Sequence, residues 1–365
     1  MIVKNIKQYL KNIDLNKTLI IVSVAAGAFL IAFLFWWLGG ATIIGIKNED
    51  QSRRGTRAEP GLRRPRASLT GLACDNYAKR PIAVMMASDP IARPLSGISQ
   101  ADIVVEMPVT PNGITRMMAV FQCDKPIEIG SVRSAREDFL TFVTGFGALY
   151  AHWGGEREAL NKLDKGTLDN IDAMKYEGTV FYRKNSIPRP HNGFTTIELL
   201  TDKAEDLGYE ADDTFVGYQR TEEKQERNLS NIVETISIDY EIPYDVKWTY
   251  DGKSNTYKRT RGGETETDRN TGSQVETSVI VLMHTASKIL SIDYVSVNTV
   301  GEGEAEFYQN GIKTDGTWKN NNNDLRFYDA KSTPTPGGVG APTEASEEMK
   351  FVPGKMWIEI VAENF

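Results

Sequence analysis

Two arginines stand at the predicted start of a helix in the stretch GSVRSARE, residues 130–137. Ser134 and Glu137 have the spacing of a capping box, in which each side chain accepts a hydrogen bond from the other residue's backbone N–H. The sequence therefore predicts a helix that begins at Ser134, with Arg133 just before it and Arg136 in its first turn. Helix N-termini attract anions, and guanidinium groups bind phosphate or carboxylate with paired hydrogen bonds. We predict an anion site here; the alternative is that Arg136 only pairs with a carboxylate in a structural network.

Other residues of the same region extend this predicted site. Arg93 and Arg116 adjoin turns from which their side chains can converge on the helix start, so both are included as ligand-binding residues. His152 ends an apolar strand directly before two glycines, and His191 lies in a proline-containing loop. Histidine is a common general acid or base near neutral pH, so these two are candidate catalytic residues that line the pocket. The alternative for each is a structural role.

Asp102 is the candidate for metal binding or catalysis. It stands at the start of a predicted strand, and Mg²⁺ bound to a phosphate needs only one or two protein carboxylates. Asp89 and Glu106 are further acidic candidates, and each of the three can instead be a cap, a turn residue or a surface charge. The motifs HExxH, CxxC, GxSxG and GxxxxGK[ST] are absent from the sequence, which argues against zinc proteases, thiol oxidoreductases, α/β-hydrolases and P-loop enzymes.

Two regions of different secondary structure follow from the hydrophobic pattern. Residues 79–210 combine three predicted strands (82–88, 102–108 and 116–122) with helices over 156–165 and 195–207, the last with a Thr195/Glu198 capping box, which predicts an α/β domain with a mixed sheet. After a polar connector at 211–230, short strands separated by Gly and Asn turns predict a smaller β-rich barrel or sandwich at 231–365. Residues 331–346 are expected to form a flexible insertion.

The N-terminal part predicts attachment to a membrane. Thr18 to Leu38 is an apolar run of 21 residues without a charge, long enough for a single transmembrane helix. Lys and Arg residues on its two sides are balanced by count, but lysines begin at its N-terminal edge, so we place residues 1–17 in the cytoplasm and the body outside. Residues 39–78 are predicted to form a basic, disordered linker.

Charge and cysteine content restrict the partners. The net charge is −7, yet residues 1–66 hold eleven Lys/Arg against four Asp/Glu, which leaves about −14 on residues 67–365. An acidic body is repelled by nucleic acid, so we expect no nucleic-acid binding. Outside the cytoplasm, the only two cysteines, Cys74 and Cys123, can form a disulfide, whereas in the cytoplasm they would be thiols.

Several motifs, in this order, carry a resemblance to a known family. They are ARPLSGISQADIVVE (92–106), GITRMMAVFQ (113–122), IGSVRSAR (129–136), AHWGG (151–155) and PHN (190–192), followed by DVKWTYDGKSNTYKRTRGG (245–263), VIVLMHT (279–285), GTWKN (316–320) and FVPGKMWIEIV (351–361). Over residues 69–365 the chain resembles the YerB-like bacterial lipoproteins, a two-part domain of unknown function. It departs from them in having a predicted membrane helix in place of a lipoprotein cysteine, and Ser88-Asp89 where the family pattern has Asn-His.

A membrane span followed by an α/β domain is also similar in layout to the LytR-CpsA-Psr envelope phosphotransferases. That likeness implies that Arg116, Arg133 and Arg136 hold a polyprenyl pyrophosphate and that Asp102 holds magnesium. The sequence thus leaves three hypotheses open: a membrane-anchored extracytoplasmic protein that binds an anionic envelope ligand, a phosphotransferase acting on lipid-linked glycopolymer, and a non-catalytic protein-interaction module. The first is the leading one.

Overall fold

The computed structural model describes residues 64–221, 232–330 and 347–363. The predicted N-terminal tail (1–17), the predicted span from Thr18 to Leu38 and the insertion at 331–346 lie outside these described residues. None of the helices in the described part has the length and apolar character needed to cross a membrane.

Strands dominate the described chain. In the first half they are β1 (Ile82–Ala87), β2 (Ile103–Pro108), β3 (Thr115–Phe121), β4 (Ile129–Gly130), β5 (Leu149–His152), β6 (Asn170–Asp172), β7 (Tyr182–Arg183) and β8 (Gly193–Thr195). In the second half they are β9 (Thr235–Ile238), β10 (Val246–Asp251), β11 (Thr256–Arg261), β12 (Glu264–Thr265), β13 (Glu276–Thr277), β14 (Val279–Ile289), β15 (Val295–Val297), β16 (Gly301–Gln309), β17 (Ile312–Asn321), β18 (Asp324–Asp329) and β19 (Met356–Glu363). The α-helices are short: α1 (Leu140–Gly145), α2 (Arg157–Asp164), α3 (Ala173–Tyr176) and α4 (Ile197–Asp206). Single 3₁₀ turns form at Pro90–Ala92, Ile98–Gln100 and Glu137–Phe139.

One large sheet runs through both halves of the chain. Its strand order is β18-β17-β16-β14-β19-β2-β3-β1-β5-β6, and β15 pairs with the C-terminal end of β14. The C-terminal strand β19 lies between β14 and β2 and is parallel to both. The two halves are therefore joined by main-chain hydrogen bonds through the middle of the sheet.

Both faces of this sheet are covered. In β1, Ala83 and Met85 belong to one core cluster, whereas Val84 and Met86 belong to the other, as the alternation of a strand requires. The first face packs against α1 and α2, and the second against α4 and the small sheet described next. Burial on both faces explains why the central strands are almost continuously apolar.

The mixed α/β character of the first half and the β-rich second half are confirmed, but the second half does not close into a barrel or sandwich of its own. Strands β9 to β13 form a five-stranded sheet that packs on the second face through Trp248 and Tyr257. The layer beneath it includes Val104 of β2 and Met117 of β3. The two sheets pack as in a sandwich, but the large one contains strands of both halves of the chain, because β19 joins β14 to β2. A third sheet contains β4, β8 and β7.

Two expected boundaries differ from the structure. Residues 64–78, predicted as linker, are ordered: Leu69 is fully buried and Cys74 is joined to Cys123 with the Cα atoms 5.7 Å apart. In the predicted polar connector, Phe215 and Tyr218 are buried against Phe351 and its neighbours. Both differences have the same reason: Leu69, Phe215 and Tyr218 are single apolar residues in polar sequence, and each is buried in the core.

The predicted capping boxes are also wrong. The segment around Ser134 is extended, and helical structure starts only at Glu137, whose backbone N–H is accepted by the carboxylate of Glu156 rather than by Ser134. The Glu137 carboxylate instead pairs with Lys162 at 2.6 Å. Helix α4 is capped by the hydroxyl of Thr196, one residue after the predicted cap. Thr195 is already paired with Ile129 in a strand, and Ser134 lies between Val132 and Ala135, which form isolated β-bridges.

Candidate functional site

The candidate site lies at one edge of the large sheet. Strands β14, β19, β2, β1, β5 and β6 run in the same direction, so their carboxyl ends lie along one edge, here called the carboxyl edge. The opposite edge is the amino edge. Arg116, near the start of the antiparallel strand β3, lies at the carboxyl edge because it pairs with Ala87 at the end of β1 and with Met107 near the end of β2.

The segment 131–136 is held where β1 and β5 separate. These strands pair directly only as far as Val84 and Ala151. Beyond that point, the backbone N–H of Arg133 donates to Met85 O at 2.8 Å, and the Arg133 carbonyl accepts from Trp153 N at 2.9 Å. Arg133 is therefore fixed by main-chain bonds to two different strand ends, and Arg136 follows Ala135, whose N–H donates to Gly154 O at 2.9 Å.

The chain leaves these two strand ends on opposite sides of the sheet. The segment after β1 packs on the second face through Ala92 and Leu95, and helix α2 after β5 packs on the first face through Ala159 and Leu163. Such a divergence opens a crevice at the carboxyl ends of strands, which is where open α/β sheets bind ligands. We call this place the arginine crevice; it contains Arg116, Arg133, Arg136, Asp89 and His191.

Arg116 is the most unusual member of the arginine crevice. Its residue surface is 3% exposed. Its Nη1 donates a long hydrogen bond, of 3.3 Å, to the carbonyl of Ser134. Its Nε is buried without a hydrogen-bond partner. Burial, followed by the charges of Arg136 and Arg133, lowers the pKa of Arg116 to about 9. The side chain is thus a buried cation with weak local compensation.

Arg133 and Arg136 are also incompletely paired. The Nε atom of each is buried without a hydrogen-bond partner. Arg136 donates through Nη1 to Ala135 O at 3.0 Å, and its Nε lies 3.9 Å from the Glu156 carboxylate, at the limit of an ion pair. Burial lowers the pKa of Arg133, with Asp89 opposing this shift. The ion pair between Arg136 and Glu156 is therefore weak, whereas a purely structural role for Arg136 would require a close one.

Asp89 and His191 face each other in the crevice. Asp89 Oδ2 and His191 Nδ1 are 3.7 Å apart, and both atoms are buried without a hydrogen-bond partner. The Tyr244 hydroxyl donates to the other Asp89 oxygen at 3.5 Å. Burial lowers the pKa of His191, which Asp89 opposes and the arginines reinforce, so the imidazole is neutral at pH 7. The sequence offered Asp89 only as one acid among several, and nothing in it indicated Tyr244.

Two predicted ligand-binding residues have other partners. Arg93 donates to Ser88 O and to Pro243 O, each at 2.9 Å, and so ties the loop after β1 to the second half of the chain. Ser134 contributes its carbonyl to Arg116 but does not cap a helix. Since α1 is a six-residue helix that begins at Leu140, the expected contribution of a helix N-terminus is absent from this site. The guanidinium groups alone supply the positive charge.

His152 is at the predicted edge but does not line an open site. Its residue surface is fully buried, and its ring nitrogens lie 2.8 Å from Gly154 O and 3.2 Å from Asn170 Oδ1. These contacts hold the turn after β5 against β6, so His152 has the structural role that was the alternative for it.

Asp102 is wrongly placed for the predicted metal and phosphate site. It precedes β2 at the amino edge, and its carboxylate accepts hydrogen bonds from Gln122 N at 2.6 Å and Cys123 N at 2.9 Å. With a rise of about 3.4 Å per residue, the length of β3 separates Asp102 from Arg116 by roughly 20 Å. Within the described residues, no group of three or more His, Cys, Asp or Glu side chains is arranged to hold a metal ion.

Asp102→Asn is expected to stabilise the protein at neutral pH. Burial raises the pKa of Asp102 to about 6, although backbone N–H groups oppose this. The folded state therefore binds this proton more tightly than the unfolded state does, and stability falls as pH rises from about 4 to 6. Asparagine should add roughly 1–3 kcal/mol at pH 7.5 and almost nothing at pH 4. Urea unfolding at both pH values measures this, and equal effects at the two would contradict it.

A groove of about 700 Å³ lies beside the arginine crevice. Its walls come from α1, α2 and the hairpin of β14 and β15, and include Asp138, Lys162 and Ser287. The Asp138 carboxylate accepts a hydrogen bond from Val297 N at 2.8 Å and so joins the two walls. None of the three crevice arginines lines this groove, so it is not the predicted anion site.

A buried charge cluster joins the two sheets, and sequence reasoning missed it. We call it the core ion cluster: Arg259 and Arg261 of β11 contact Glu106 of β2, Glu359 of β19 and Glu266, with N–O distances of 2.6–3.2 Å. Trp248 and Trp357 both contact Arg259: their ring centroids lie 5.0 and 4.1 Å from its Cζ and 5.2 Å from each other. Glu106 therefore pairs with arginines of the second half and has a structural role.

The comparisons with known proteins agree with the motif resemblance. The N-terminal domain described as "Protein of unknown function (DUF3048)" matches residues 69–210, and the corresponding C-terminal domain matches residues 236–358. The protein YerB of Bacillus subtilis (strain 168), provisionally named a lipoprotein, is 32% identical over 306 residues, which cover 81% of this chain and 86% of YerB. The crystal structure of Bacillus subtilis YerB is similar with a TM-score of 0.71 at 29% identity, covering 82% of this chain and 97% of that one. The chain therefore belongs to the DUF3048 family of proteins of unknown function, and its predicted resemblance to YerB is confirmed.

Proposed function

We propose that this protein is a membrane-anchored, extracytoplasmic binding protein that holds an anionic cell-envelope ligand in the arginine crevice. The observation that carries the proposal is that Arg116, Arg133 and Arg136 each bury an Nε atom without a hydrogen-bond partner. Their nearby carboxylates are Asp89 and Glu156, so three cations face two anions. A ligand phosphate or carboxylate completes this set.

The energetics favour such a ligand. A buried cation without full pairing is costly, and the cost is recovered when charge-assisted hydrogen bonds form. Arg133 and Arg136 are partly exposed, whereas Arg116 is buried behind them. A ligand can therefore reach the outer two guanidinium groups directly while the third adds to the positive potential of the site.

Membrane attachment rests on two further arguments. The sequence from Thr18 to Leu38 has the length and composition of a membrane span. The relative YerB is provisionally named a lipoprotein, and a lipid anchor would also hold a protein at a membrane, by different chemistry. The disulfide between Cys74 and Cys123 suits an oxidising compartment outside the cytoplasm.

The two other hypotheses are less well supported. A phosphotransferase built on Asp102 and magnesium would need that carboxylate beside the arginines, and it lies near the opposite edge of the sheet. A purely structural role for the arginines would need each of them paired with a carboxylate, which Arg80 achieves with Asp169 at 2.6 Å but Arg116 does not. We therefore retain the binding role.

Inorganic pyrophosphate is expected to raise the melting temperature of the full chain in detergent, and the Arg133→Ala/Arg136→Ala variant should lose this effect. Saturation at a hundred times the Kd corresponds to about 2.7 kcal/mol of stabilisation. Arg157→Ala/Lys175→Ala removes two cations whose side chains are 87% and 59% exposed and serves as the charge-matched control. The measurement is differential scanning fluorimetry at constant ionic strength, repeated with phosphate, citrate and muropeptides. If no anion stabilises the wild type, or if the double variant responds equally, the proposal fails.

A further inference from the structure

Large apolar side chains are exposed around the arginine crevice. Ile292 is 88% exposed, Ile242 84% and Met174 68%. They belong to a set of six that we call the apolar rim, made of Ile91, Met174, Ile242, Ile289, Leu290 and Ile292. Exposed apolar residues are common singly, but a group that surrounds one site indicates an interaction surface.

The topology places the whole rim at the carboxyl edge. Ile91 follows the carboxyl end of β1, and Met174 follows that of β6. Ile242 precedes Pro243, whose carbonyl accepts a hydrogen bond from Arg93 in the loop after β1. The remaining three residues form the tip of the hairpin between β14 and β15, at the carboxyl end of β14. Four of the six residues thus follow carboxyl ends, Ile289 is the last residue of β14, and Ile242 is tied to the loop after β1.

The hairpin tip is connected to the crevice by direct contacts. Its turn is closed by a hydrogen bond from Leu290 N to Tyr294 O at 3.0 Å. The Tyr294 ring lies 5.2 Å from the Arg136 guanidinium carbon, and Val295 N donates to Val109 O beyond the end of β2. The apolar tip and the cationic crevice are therefore parts of one ordered surface.

This combination fits a lipid bilayer better than it fits a protein. Apolar side chains enter the boundary between headgroups and acyl chains, and cationic side chains beside them meet the headgroup phosphates. A protein partner would have to present apolar side chains to the rim and carboxylates to the arginines from one matching surface, whereas every phospholipid carries both an acyl chain and a phosphate. A bilayer presents acyl chains and headgroup phosphates together over its whole surface.

We propose that the carboxyl edge docks on the surface of a lipid bilayer, with the apolar rim in the headgroup layer and a lipid phosphate in the arginine crevice. The second part of this statement rests on the proposed function, whereas the first part does not. It gives the anionic ligand a chemical class, a phosphate-bearing lipid.

The length of chain before the body permits this orientation. Residues 39–63 separate Leu38 from Arg64, and 25 residues span up to about 85 Å when extended. The body begins at the amino edge, where Cys74 is bonded to Cys123 just after β3. Docking through the carboxyl edge therefore requires the edge opposite the start of the body to face the membrane. In the alternative orientation, the amino edge faces the membrane.

Depth-dependent fluorescence quenching distinguishes the two orientations. The full chain is reconstituted into vesicles with its disulfide intact, and a fluorophore is attached at Ile292→Cys, Ile242→Cys or Val216→Cys. Val216 is the matched control because it is 87% exposed and lies near the amino edge, where the adjacent Gly217 packs on Ser68. Lipids with a quencher in the upper acyl chain are expected to quench the two rim labels several-fold more than the Val216 label. Stronger quenching at Val216, or equal weak quenching at all three, overturns the proposal.

The headgroup is tested in the same vesicles. Replacing part of the phosphatidylcholine with phosphatidylglycerol is expected to increase quenching at Ile292, and Arg133→Ala/Arg136→Ala should remove that increase. Rim quenching that changes neither with phosphatidylglycerol nor with Arg133→Ala/Arg136→Ala supports docking but overturns a lipid phosphate in the crevice, since phosphatidylcholine also carries a phosphate. Because pyrophosphate stabilisation is measured separately, its absence from the wild-type protein, together with intact rim quenching, overturns the anion site and leaves the docking surface. Near-ultraviolet circular dichroism confirms that each variant is folded.

Discussion

Arg259→Met is expected to lower the free energy of unfolding by about 3–5 kcal/mol at pH 7, the range for breaking a buried ion pair. Methionine keeps an apolar side chain of similar length in contact with Trp248 and Trp357, so the loss is mainly one of charge. The variant leaves Glu106, Glu266 and Glu359 with Arg261 alone, and all four side chains are buried. Urea unfolding followed by tryptophan fluorescence measures the difference.

The destabilisation should become smaller at acidic pH. Burial and the nearby Glu106 already raise the pKa of Glu359 to about 7, although Arg259 opposes this. Without Arg259, the carboxyl groups of the cluster bind protons more readily in the folded state than in the unfolded state. The folded variant therefore regains stability relative to wild type as pH falls from 7 toward 5. A deficit that stays constant over this range would show that packing, not charge, determines the effect.

Lys258→Met is the matched control because it removes a cation from the adjacent residue, on the opposite face of the same strand. Lys258 pairs with Asp251 at 2.7 Å, with the two side chains 40% and 28% exposed. Exposed pairs contribute about 0–1 kcal/mol, so little change is expected. Equal losses for the two variants would refute the view that the core ion cluster joins the two sheets.

The local structure of this chain was largely predictable, whereas the connections between strands were not. The apolar runs at 82–88, 102–108 and 116–122 correspond to β1, β2 and β3 within one residue at each end. Strand pairing over long sequence distances has no such local signature. Nothing in the sequence of β19 indicates that it lies between β14 and β2, and that placement merges the two predicted domains into one sheet.

The core ion cluster had a signal that was overlooked. Tyr257, Arg259 and Arg261 alternate along β11 and therefore share one face, and Arg259 lies directly opposite Trp248 of β10. An arginine paired across a strand with a buried tryptophan points inward, where it needs carboxylates. Those carboxylates are Glu106 and Glu359, each an acid within an apolar strand.

The arginine crevice was predicted for a partly wrong reason. Arg116, Arg133 and Arg136 do converge, as the sequence analysis expected, but extended backbone brings Arg133 and Arg136 together with Arg116, not a helix N-terminus. The capping-box pattern at Ser134 describes local preference, and hydrogen bonds to β1 and to the turn after β5 override it. The prediction that Asp102 belongs to this site was wrong. Asp102 and Arg116 are close in sequence, but they lie at opposite ends of the paired strands β2 and β3.

Arg116→Met is expected to make the protein more stable and to weaken its stabilisation by anions. The folded state buries the Arg116 cation near Arg133 and Arg136 with one long carbonyl contact, so removing it relieves both desolvation and repulsion. Replacing a poorly compensated buried charge with an apolar side chain should add about 1–3 kcal/mol to the free energy of unfolding. Stabilisation by pyrophosphate should fall at the same time, since the three guanidinium groups act together.

Arg80→Met is the control, because the opposite change in stability is expected for it. Arg80 is also mostly buried, but it pairs with Asp169 at 2.6 Å and donates to Gly147 O at 2.8 Å. The same substitution there leaves a carboxylate and carbonyls without a partner and should destabilise the protein. Opposite signs at Arg80 and Arg116 indicate that one arginine maintains the fold and the other serves a ligand. If Arg116→Met is as destabilising as Arg80→Met, the crevice arginines are structural and the proposed anion site is wrong.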